Sequence, residues 1–402
     1  MKNHNLYKII ILLVTAIVIN GCTEAYPLVT NRFEDVLIVE ANLTNELKNQ
    51  EVKLTKSARF EDENYLPESG AEVFITDDAG NKYNFSENSD KYVSDIEFQA
   101  VPNTKYQLHI NTKDGRSFAS SPEILTTITP IQSVVAAIEQ KDDINGVGIR
   151  VNSFDPTATS TYYRFEYEET YKVVAPKWSP TKLVWNGGPT FEPNSVDTKV
   201  CYGSNKSIGF MLLNTNKLKE DRVDYRIRFI SDQDYIITTR YSILVKQYVE
   251  SLATYNYYNT LNKTAVSGGT ITSPTQPGLL LGNLRSINGD SKISGYFDVC
   301  SVSTERIYFN YADLFPGKFP PPYAVDCTQF CYEKEAYNPV PCTHCCHYLD
   351  DLPRGIITYY SGDGIKSLET YWVDAPCGDC TKIASNIKPP FLGRLIKNYL
   401  FF

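Results

Sequence analysis

Short segments that alternate hydrophobic and polar residues dominate the first third of the chain. VLIVEANLT opens the series at residue 36, and AEVFITDDAGNKYNF contains two alternating runs around the turn signal DDAGN. In KYQLHINTKDGRSFAS, the residues Tyr106, Leu108 and Ile110 share one face, so we expect His109 on the opposite face in contact with solvent. Six or seven such strands predict an N-terminal β-sandwich of immunoglobulin or transthyretin type over residues 36–128, because these sandwiches take roughly 100 residues.

A larger β-rich domain with a short helix is predicted over residues 131–315. GVGIRVNSF and TYYRFEYEETYKVV are predicted to pair as neighbouring strands. VDYRIRFI is expected to place its odd-numbered residues, from Val223 to Phe229, on one buried face. The fold class is therefore mostly β, and we expect a cysteine-rich C-terminal region, residues 316–402, to pack on this second domain after the proline-rich link FPGKFPPPY.

One segment, DYIITTRYSILVKQYVESLATYNYYNTLNK, mixes helical spacing of apolar residues with many β-branched residues, which disfavour helix. We predict a strand that ends near Val249, followed by a helix that Ser251 caps. The helix is expected to bury Leu252, Tyr255 and Tyr258.

The N-terminus has the pattern of an export signal. Lys2 and Lys8 precede an apolar run of eleven residues, 9–19, that would span about 16 Å as a helix, too short for a bilayer core of about 30 Å. IVINGC is similar to a lipobox, which implies a signal peptide at 1–21, lipid attachment at Cys22 and a tether at 22–35. The alternative is an ordinary secretory peptide. Either interpretation predicts that the protein is exported to an oxidising compartment. The lipobox also predicts that acyl chains anchor the protein to a membrane.

Cysteines are concentrated near the C-terminus. The chain has ten, of which seven lie between residues 327 and 380. In an oxidising compartment this density predicts disulfides. The candidates are Cys201, Cys327, Cys331, Cys342, Cys345, Cys346, Cys377 and Cys380. A metal site that uses His344, His347, Cys342 and Cys345 is the weaker alternative, because the two C-x2-C pairs lie about twice as far apart as the ~15–20 residues of a zinc ribbon. Sequence alone does not give the connectivity.

Composition and motifs argue against several functions. The formal net charge is −8, which disfavours nucleic-acid binding. We find no metalloprotease, P-loop, nucleophile-elbow or dinucleotide motif, so we predict no catalytic residues, no cofactor and no enzyme. A glycosidase-type carboxylate pair stays open, because its separation depends on the fold. Trp178, Trp185 and Phe191 lie in a Pro/Gly-rich excursion and are candidate ligand-binding aromatics; the alternative is that they pack onto the sandwich.

Several segments in order, GAEVFITDDAGNKY, YRFEYEE, RYSILVKQY, LLLGNLRSINGDSKISGYF and CGDCTKIASNIKPPF, resemble a family of Bacteroidetes lipoproteins known as domain of unknown function 4249. The resemblance runs from VLIVEANLT to the C-terminus. It implies an outer-membrane lipoprotein, since family members are typically anchored there and their genes often neighbour TonB-dependent transporters. An acidic residue close behind the lipid cysteine favours surface exposure in such bacteria, and Glu24 lies two residues after Cys22.

From these features we expect a non-enzymatic, surface-exposed lipoprotein that captures substrate for a TonB-dependent outer-membrane barrel or otherwise assists it. The ligand is unknown. One alternative is a structural or adhesive cell-envelope lipoprotein, and another is an envelope glycoside hydrolase.

Overall fold

The structure is a computed structural model that describes residues 36–57, 66–186, 189–194, 197–267, 280–331, 351–362 and 370–393. It is mostly β, as the sequence predicts. The strands of the first part are β1 Leu37–Thr44, β2 Glu51–Lys56, β3 Leu66–Pro67, β4 Glu72–Asp77, β5 Lys82–Asn88, β6 Lys91–Ser94, β7 Lys105–Asn111, β8 Ser117–Ser120 and β9 Glu123–Ile124. They are followed by β10 Ile131–Lys141, β11 Ile144–Asp155, β12 Tyr162–Val174, β13 Thr181–Trp185, β14 Pro189–Pro193, β15 Val200–Lys206, β16 Met211–Asn214, β17 Asp221–Ser231 and β18 Arg240–Val249. The remaining strands are β19 Leu284–Ser286, β20 Ile293–Asn310, β21 Phe330–Cys331, β22 Ile357–Ser361 and β23 Tyr371–Asp374.

The described residues contain few helices, and only the first is longer than four residues. They are α1 Leu252–Ser267, α2 Tyr311–Leu314 and α3 Ala375–Gly378, with 3-10 turns at Tyr235–Ile237, Cys380–Lys382 and Pro390–Gly393. Among the described residues, no helix has the length and apolar character needed to cross a bilayer.

One long strand joins the two large parts of the fold. The first half of β20 pairs in parallel with β1, from Leu37↔Ile293 to Thr44↔Cys300. Its second half pairs antiparallel with β18, from Val249↔Ser301 to Arg240↔Asn310. A single sheet therefore runs in the order β15-β12-β18-β20-β1-β2-β6-β5-β4-β7-β8-β19. The division into 36–128 and 131–315 needs correction, because β19 and half of β20 complete the N-terminal sheet.

The N-terminal part is a curled, sandwich-like sheet around its own core. Tyr106, Leu108 and Ile110 are buried in it, as their alternation predicts, and so are Leu284 and Phe297 from the distant end of the chain. The curled sheet closes where the Asn283 side chain both donates to the Phe297 carbonyl and accepts from the Phe297 amide, each at 2.8 Å. His109 lies on the opposite face, as expected, and is half-buried, so only part of its ring contacts solvent. It stacks on Phe74 at 4.8 Å between ring centroids, which covers one face of the imidazole.

The second part has two facing layers. The sheet β10-β11-β17 packs its apolar face, including Val147, Ile149 and Val151, against Phe165 of β12 and Ile243 of β18. The prediction that GVGIRVNSF and TYYRFEYEETYKVV pair is therefore wrong. β11 and β12 lie in opposite layers, because the loop after Asp155 carries the chain across the core instead of turning back along the same sheet.

A β-bulge changes the buried face of β17. The partner of Ile149 on β17 is Arg228 and that of Arg150 is Arg226, so Ile227 is an extra residue. Alternation shifts there, and Ile230 becomes buried while Phe229 is only half-buried. The predicted face from Val223 to Phe229 is thus correct only up to the bulge.

Helix α1 follows β18 as predicted, and the Ser251 side chain accepts a hydrogen bond from the Thr254 amide at 3.1 Å, which is an N-cap. Tyr258 is buried and Tyr255 is half-buried. Leu252 is 53% exposed, so its predicted burial is wrong. In the first turn of α1, Thr254 is the residue that points inward, where it contacts β20.

The C-terminal region packs on the second part, and two disulfides hold it. Cys201 of β15 is bonded to Cys380, and Cys327 is bonded to Cys377. A backbone bridge between Tyr202 and Ser385 continues the first attachment. The small sheet β21-β23-β22 packs against the β13–β14 hairpin around Leu183 and Trp372.

Candidate functional site

The most unusual chemistry of the described residues lies along one face of β20, where the two parts of the fold meet. Side chains alternate along a strand, so Tyr296, Asp298 and Cys300 share a face, while Phe297 and Val299 point into the N-terminal core. The first turns of α1 cover this shared face, and the Thr254 hydroxyl donates to Asp298 Oδ1 at 3.0 Å. The face begins at a surface pocket near Tyr296 and ends in a buried charged cluster around Asp298.

The pocket has a volume of about 600 Å³ and lies between the start of α1 and the edge formed by β8 and β19. Its lining is Ala119, Ser120, Ser121, Ala253, Gly282, Asn283, Arg285, Ser286, Ile287 and Tyr296. Most of these residues are polar or small. The volume is in the range of ~300–1,000 Å³ typical of sites for small molecules.

Polar groups in the pocket are partly fixed and partly available. Asn283 is held by its two bonds to Phe297 and by a third, from its Nδ2 to Glu123 Oε1 at 2.9 Å. Ser286 Oγ is buried without a hydrogen-bond partner among the described residues. The exposed Arg285 adds a positive charge at the rim. Of these groups, the Arg285 guanidinium is the one that a ligand can reach, and it would pair with an accepting or anionic group of that ligand.

The buried cluster is built around Arg164 of β12, which is only 1% exposed. Its Nε donates to Glu250 Oε1 at 2.6 Å, and its Nη1 donates to Glu166. The guanidinium also lies over the Tyr248 ring, 3.9 Å from the centroid. A buried arginine requires such partners, because an uncompensated buried charge costs several kcal/mol.

Two carboxylates and a thiol converge next to this arginine. One ligand atom each from Glu250, Asp298 and Cys300 can be chosen so that all lie within 4.8 Å of one another, and all three residues are buried. Glu250 Oε2 and Asp298 Oδ2 have no hydrogen-bond donor among the described residues outside the cluster, whereas inside it Asp298 lies within hydrogen-bonding reach of Glu250 and of the Cys300 thiol. Native proteins rarely leave buried carboxylate oxygens unpaired, so this cluster is an exception that calls for an explanation.

The pKa shifts in this cluster agree with several acidic groups lying close together in a buried place. Burial, followed by the charge of Asp298, holds the pKa of Glu250 well above its ordinary value. Burial and the same carboxylate also raise the pKa of the Cys300 thiol. Burial alone lowers the pKa of Arg164, but Glu250, Tyr258, Glu166 and Cys300 together outweigh it and raise the pKa, so the guanidinium stays protonated.

The structure places two of the three candidate aromatics in packed positions. Trp178 is half-buried against the second core, and its Nε1 donates to Thr198 Oγ1 at 3.1 Å. Phe191 is half-buried against Tyr359, with ring centroids 4.9 Å apart. Both positions fit the packing alternative. Trp185 ends β13, and its side chain lies outside the described residues.

Four of the eight disulfide candidates are bonded, namely Cys201, Cys327, Cys377 and Cys380. The side chain of Cys331 lies outside the described residues, as do Cys342, Cys345 and Cys346, the weaker metal candidates His344 and His347, and the lipidation candidate Cys22. Cys300, which was not among the disulfide candidates, is a free and buried thiol.

The sequence analysis did not predict the buried cluster of Arg164, Glu250, Asp298 and Cys300, although the segment SGYFDVCSV contains an indication of it. Asp298 is a charged residue inside a run that is otherwise apolar or small, and in a buried strand such a residue needs a partner. The sequence does not tell whether two carboxylates lie close enough for a glycosidase-type pair. In the folded protein, Glu250 and Asp298 do lie close together. These two residues are 3% and 2% exposed, whereas a hydrolase needs its carboxylates in a cleft that substrate can enter.

The sequence model of the family described as "Domain of unknown function (DUF4249)" matches residues 23–306. The chain belongs to this family. The DUF4249 match ends within β20, so the cysteine-rich C-terminal region lies outside it, although the resemblance was expected to reach the C-terminus. The match includes Arg164, Glu250 and the face of β20 that Tyr296, Asp298 and Cys300 share. No curated protein matches the chain.

Proposed function

We propose that this protein is a lipoprotein, anchored to the outer membrane through Cys22 and exposed at the cell surface, that captures a small polar ligand for a TonB-dependent transporter. The observation that carries the proposal is the pocket between α1 and the β8–β19 edge, with the guanidinium of Arg285 at its rim. The export signal and the apparent lipobox support the anchor. The role is binding and delivery without catalysis.

The geometry of the pocket supports capture. Its walls come from both large parts of the fold, Ser120 and Arg285 from the N-terminal sheet and Ala253 from α1. The continuous strand β20 fixes these walls relative to each other. A preformed pocket of this kind loses little conformational entropy on binding, which suits a protein that holds a ligand before handing it on.

The first experiment is a pull-down with a C-terminal affinity tag from native membranes in mild detergent. We expect a TonB-dependent barrel to co-purify in stoichiometric amount. A matched Cys22→Ser variant should leave the membrane fraction and lose the barrel. Recovery of the wild-type lipoprotein alone, with the barrel abundant in the same extract, would favour the structural or adhesive alternative.

The pocket is tested in a deletion strain complemented with point variants. Arg285→Glu reverses the charge at the rim, and Lys53→Glu makes the same reversal at an exposed position of β2. We expect Lys53→Glu to restore growth that depends on uptake, and Arg285→Glu to fail while still co-purifying with the barrel. Equal restoration by both variants would contradict the assignment of the pocket.

A further inference from the structure

We propose that Glu250, Asp298 and Cys300 bind a divalent transition-metal ion of the zinc class. The site is distinct from the surface pocket and does not depend on the proposed transport role. Its first support is the pair of buried, unpartnered oxygens, Glu250 Oε2 and Asp298 Oδ2, which converge with the Cys300 sulfur. Carboxylate oxygens that no described residue outside the cluster hydrogen-bonds are suited to a cation.

The spacing of the ligand atoms is compatible with one ion. Zinc binds oxygen at about 2.0–2.2 Å and thiolate sulfur at about 2.3 Å, so tetrahedral ligand atoms lie roughly 3.3–3.8 Å apart. The three ligand atoms here lie within 4.8 Å of one another. Closing the site around an ion therefore requires side-chain movements of about 1 Å or less. A tetrahedral ion would take its fourth ligand from water or from a second carboxylate oxygen.

Neighbouring groups hold the other oxygen of each carboxylate and leave the converging ones open. Arg164 Nε is bonded to Glu250 Oε1, and the Thr254 hydroxyl is bonded to Asp298 Oδ1. Partners of this kind orient ligands around metal ions in proteins and are commonly needed for affinity. The arrangement is thus that of two positioned carboxylates with one free oxygen each.

Charge supports a cation at the same place. The single positive charge of Arg164 already faces Glu250 and Glu166, whereas the described hydrogen bond to Asp298 comes from a neutral hydroxyl. Asp298 is only 2% exposed, so water does not compensate its charge. On binding a divalent ion, both Glu250 and the Cys300 thiol would release their protons to solvent, and the bound cation would offset the negative charge that results.

The ligand set selects the class of metal. Calcium and magnesium require six or more oxygen ligands and do not favour sulfur, whereas zinc and its neighbours accept mixed thiolate and carboxylate ligands. The ion would join the end of β18 to the middle of β20 beneath α1. Because all three ligands are buried, loading is expected during folding instead of by exchange in the folded protein.

The test is refolding of the full chain from denaturant, with its disulfides intact, in the presence of zinc or of a chelator, followed by metal analysis after desalting. Cobalt replaces zinc in a parallel sample, because a thiolate ligand gives it a charge-transfer absorption. We expect one equivalent of metal per wild-type chain, with the thiolate absorption in the cobalt sample. Cys300→Ser should lose that absorption, and Asp298→Asn should lose the bound metal.

Glu169→Gln is the matched control, because Glu169 is also a buried carboxylate bonded to an arginine, Arg228, but lies outside the cluster. It should keep the full equivalent. Metal content that is unchanged in both Cys300→Ser and Asp298→Asn would assign the ion to another site, such as the Cys/His-rich segment 342–347, and overturn the proposal. Wild-type protein that refolds without metal in the presence of zinc would also overturn it, and would indicate that a shared proton joins Glu250 and Asp298.

Discussion

At the scale of single residues, Asp155 shows how one carboxylate can shape a connection. It lies at the end of β11, where the chain crosses from one layer to the other, and it is 5% exposed. Its Oδ1 accepts from the Thr157 amide, and its Oδ2 accepts from the amides of Thr159 and Ser160, each at 2.9 Å. Burial alone raises the pKa of Asp155, but a hydrogen bond from the Thr157 hydroxyl at 2.6 Å and these amide hydrogen bonds together outweigh it and hold the pKa well below its ordinary value.

The low pKa predicts how acid affects stability. The folded pKa is depressed relative to about 3.9 in the unfolded chain, so the stabilisation is complete above about pH 5 and is lost as pH falls toward the folded pKa. We expect Asp155→Asn to be less stable than wild type at pH 7, with a difference that shrinks as the pH is lowered from 5 to 2. Urea unfolding at a series of pH values measures this.

Asp142→Asn is the control for that series, because it removes an exposed carboxylate at the β10–β11 turn, at the opposite end of β11. Its difference from wild type should stay small at every pH. A difference between Asp155→Asn and wild type that is constant from pH 7 to pH 2 would show that the charge of Asp155 contributes nothing to stability.

Local roles of single residues could be predicted from the sequence, but their contacts with residues distant in the chain could not. The sequence shows that Ser251 can cap a helix, because capping depends on neighbours three residues away. It does not show that Glu250, Asp298 and Arg164 meet, since their contacts join β12, β20 and the residue after β18, which lie far apart in the chain. The predicted burial of Leu252 is wrong for a related reason. The face that α1 buries is determined by its packing on β20 and not by the helix sequence alone.

At the scale of elements, the parallel pairing of β1 with β20 depends on a close approach at Gly295. Its φ is +132°, and a Cβ placed there would lie 2.1 Å from the Val39 carbonyl oxygen. Gly80 also has a positive φ, +87°, but an added Cβ there meets nothing within 4 Å. The two glycines therefore separate backbone strain from steric exclusion.

We expect Gly80→Ala to reduce the free energy of unfolding by about 1 kcal/mol, which is the cost of alanine at positive φ. Gly295→Ala should cost roughly 1–3 kcal/mol more, because it adds overpacking between two central strands. Denaturant unfolding of both variants measures the difference. Equal costs would mean that β1 and β20 do not approach as closely as described.

Strands could be predicted from the sequence, but their partners could not. Alternation in KYQLHIN gives a buried face whichever strands lie beside it, and that prediction is confirmed. Alternation does not tell whether β11 and β12 pair or face each other, because both arrangements bury the same side chains. The bulge at Ile227 is invisible for the same reason, since one extra residue changes no local propensity.

At the scale of the whole molecule, the Cys201–Cys380 disulfide attaches the C-terminal region to the second core across 179 residues. The second disulfide, Cys327–Cys377, stays within the C-terminal region. We expect Cys201→Ala/Cys380→Ala to lower the free energy of unfolding by about 2–5 kcal/mol, because the long loop is no longer closed in the unfolded chain. Cys327→Ala/Cys377→Ala should leave unfolding of the core closer to wild type.

Peptide mapping under non-reducing conditions tests the pairing directly. The expected peptides join Cys201 to Cys380 and Cys327 to Cys377. A bond between Cys377 and Cys380, the neighbours in the C-x2-C motif, would contradict this connectivity.

The class of the molecule could be predicted, but its division into parts could be predicted only in outline. The linker near residue 130 is present, yet the N-terminal core closes only when residues 284–299 return to it. No pattern in LLLGNLRSINGDSKISGYF distinguishes a strand of the second part from a strand that serves both. Contacts between positions that are distant in the chain decide this, and a single sequence does not report them.

The position of β1 has a mechanical consequence. Tension applied to the chain ahead of residue 36 enters the fold through β1, which lies in the interior of the large sheet between β2 and β20. A pull along β1 loads its hydrogen bonds to both neighbours in shear, so many bonds must break together instead of one after another. The force then passes along β20 into the second part of the fold. A protein held at this end would resist being stretched off its tether far better than one attached through an edge strand.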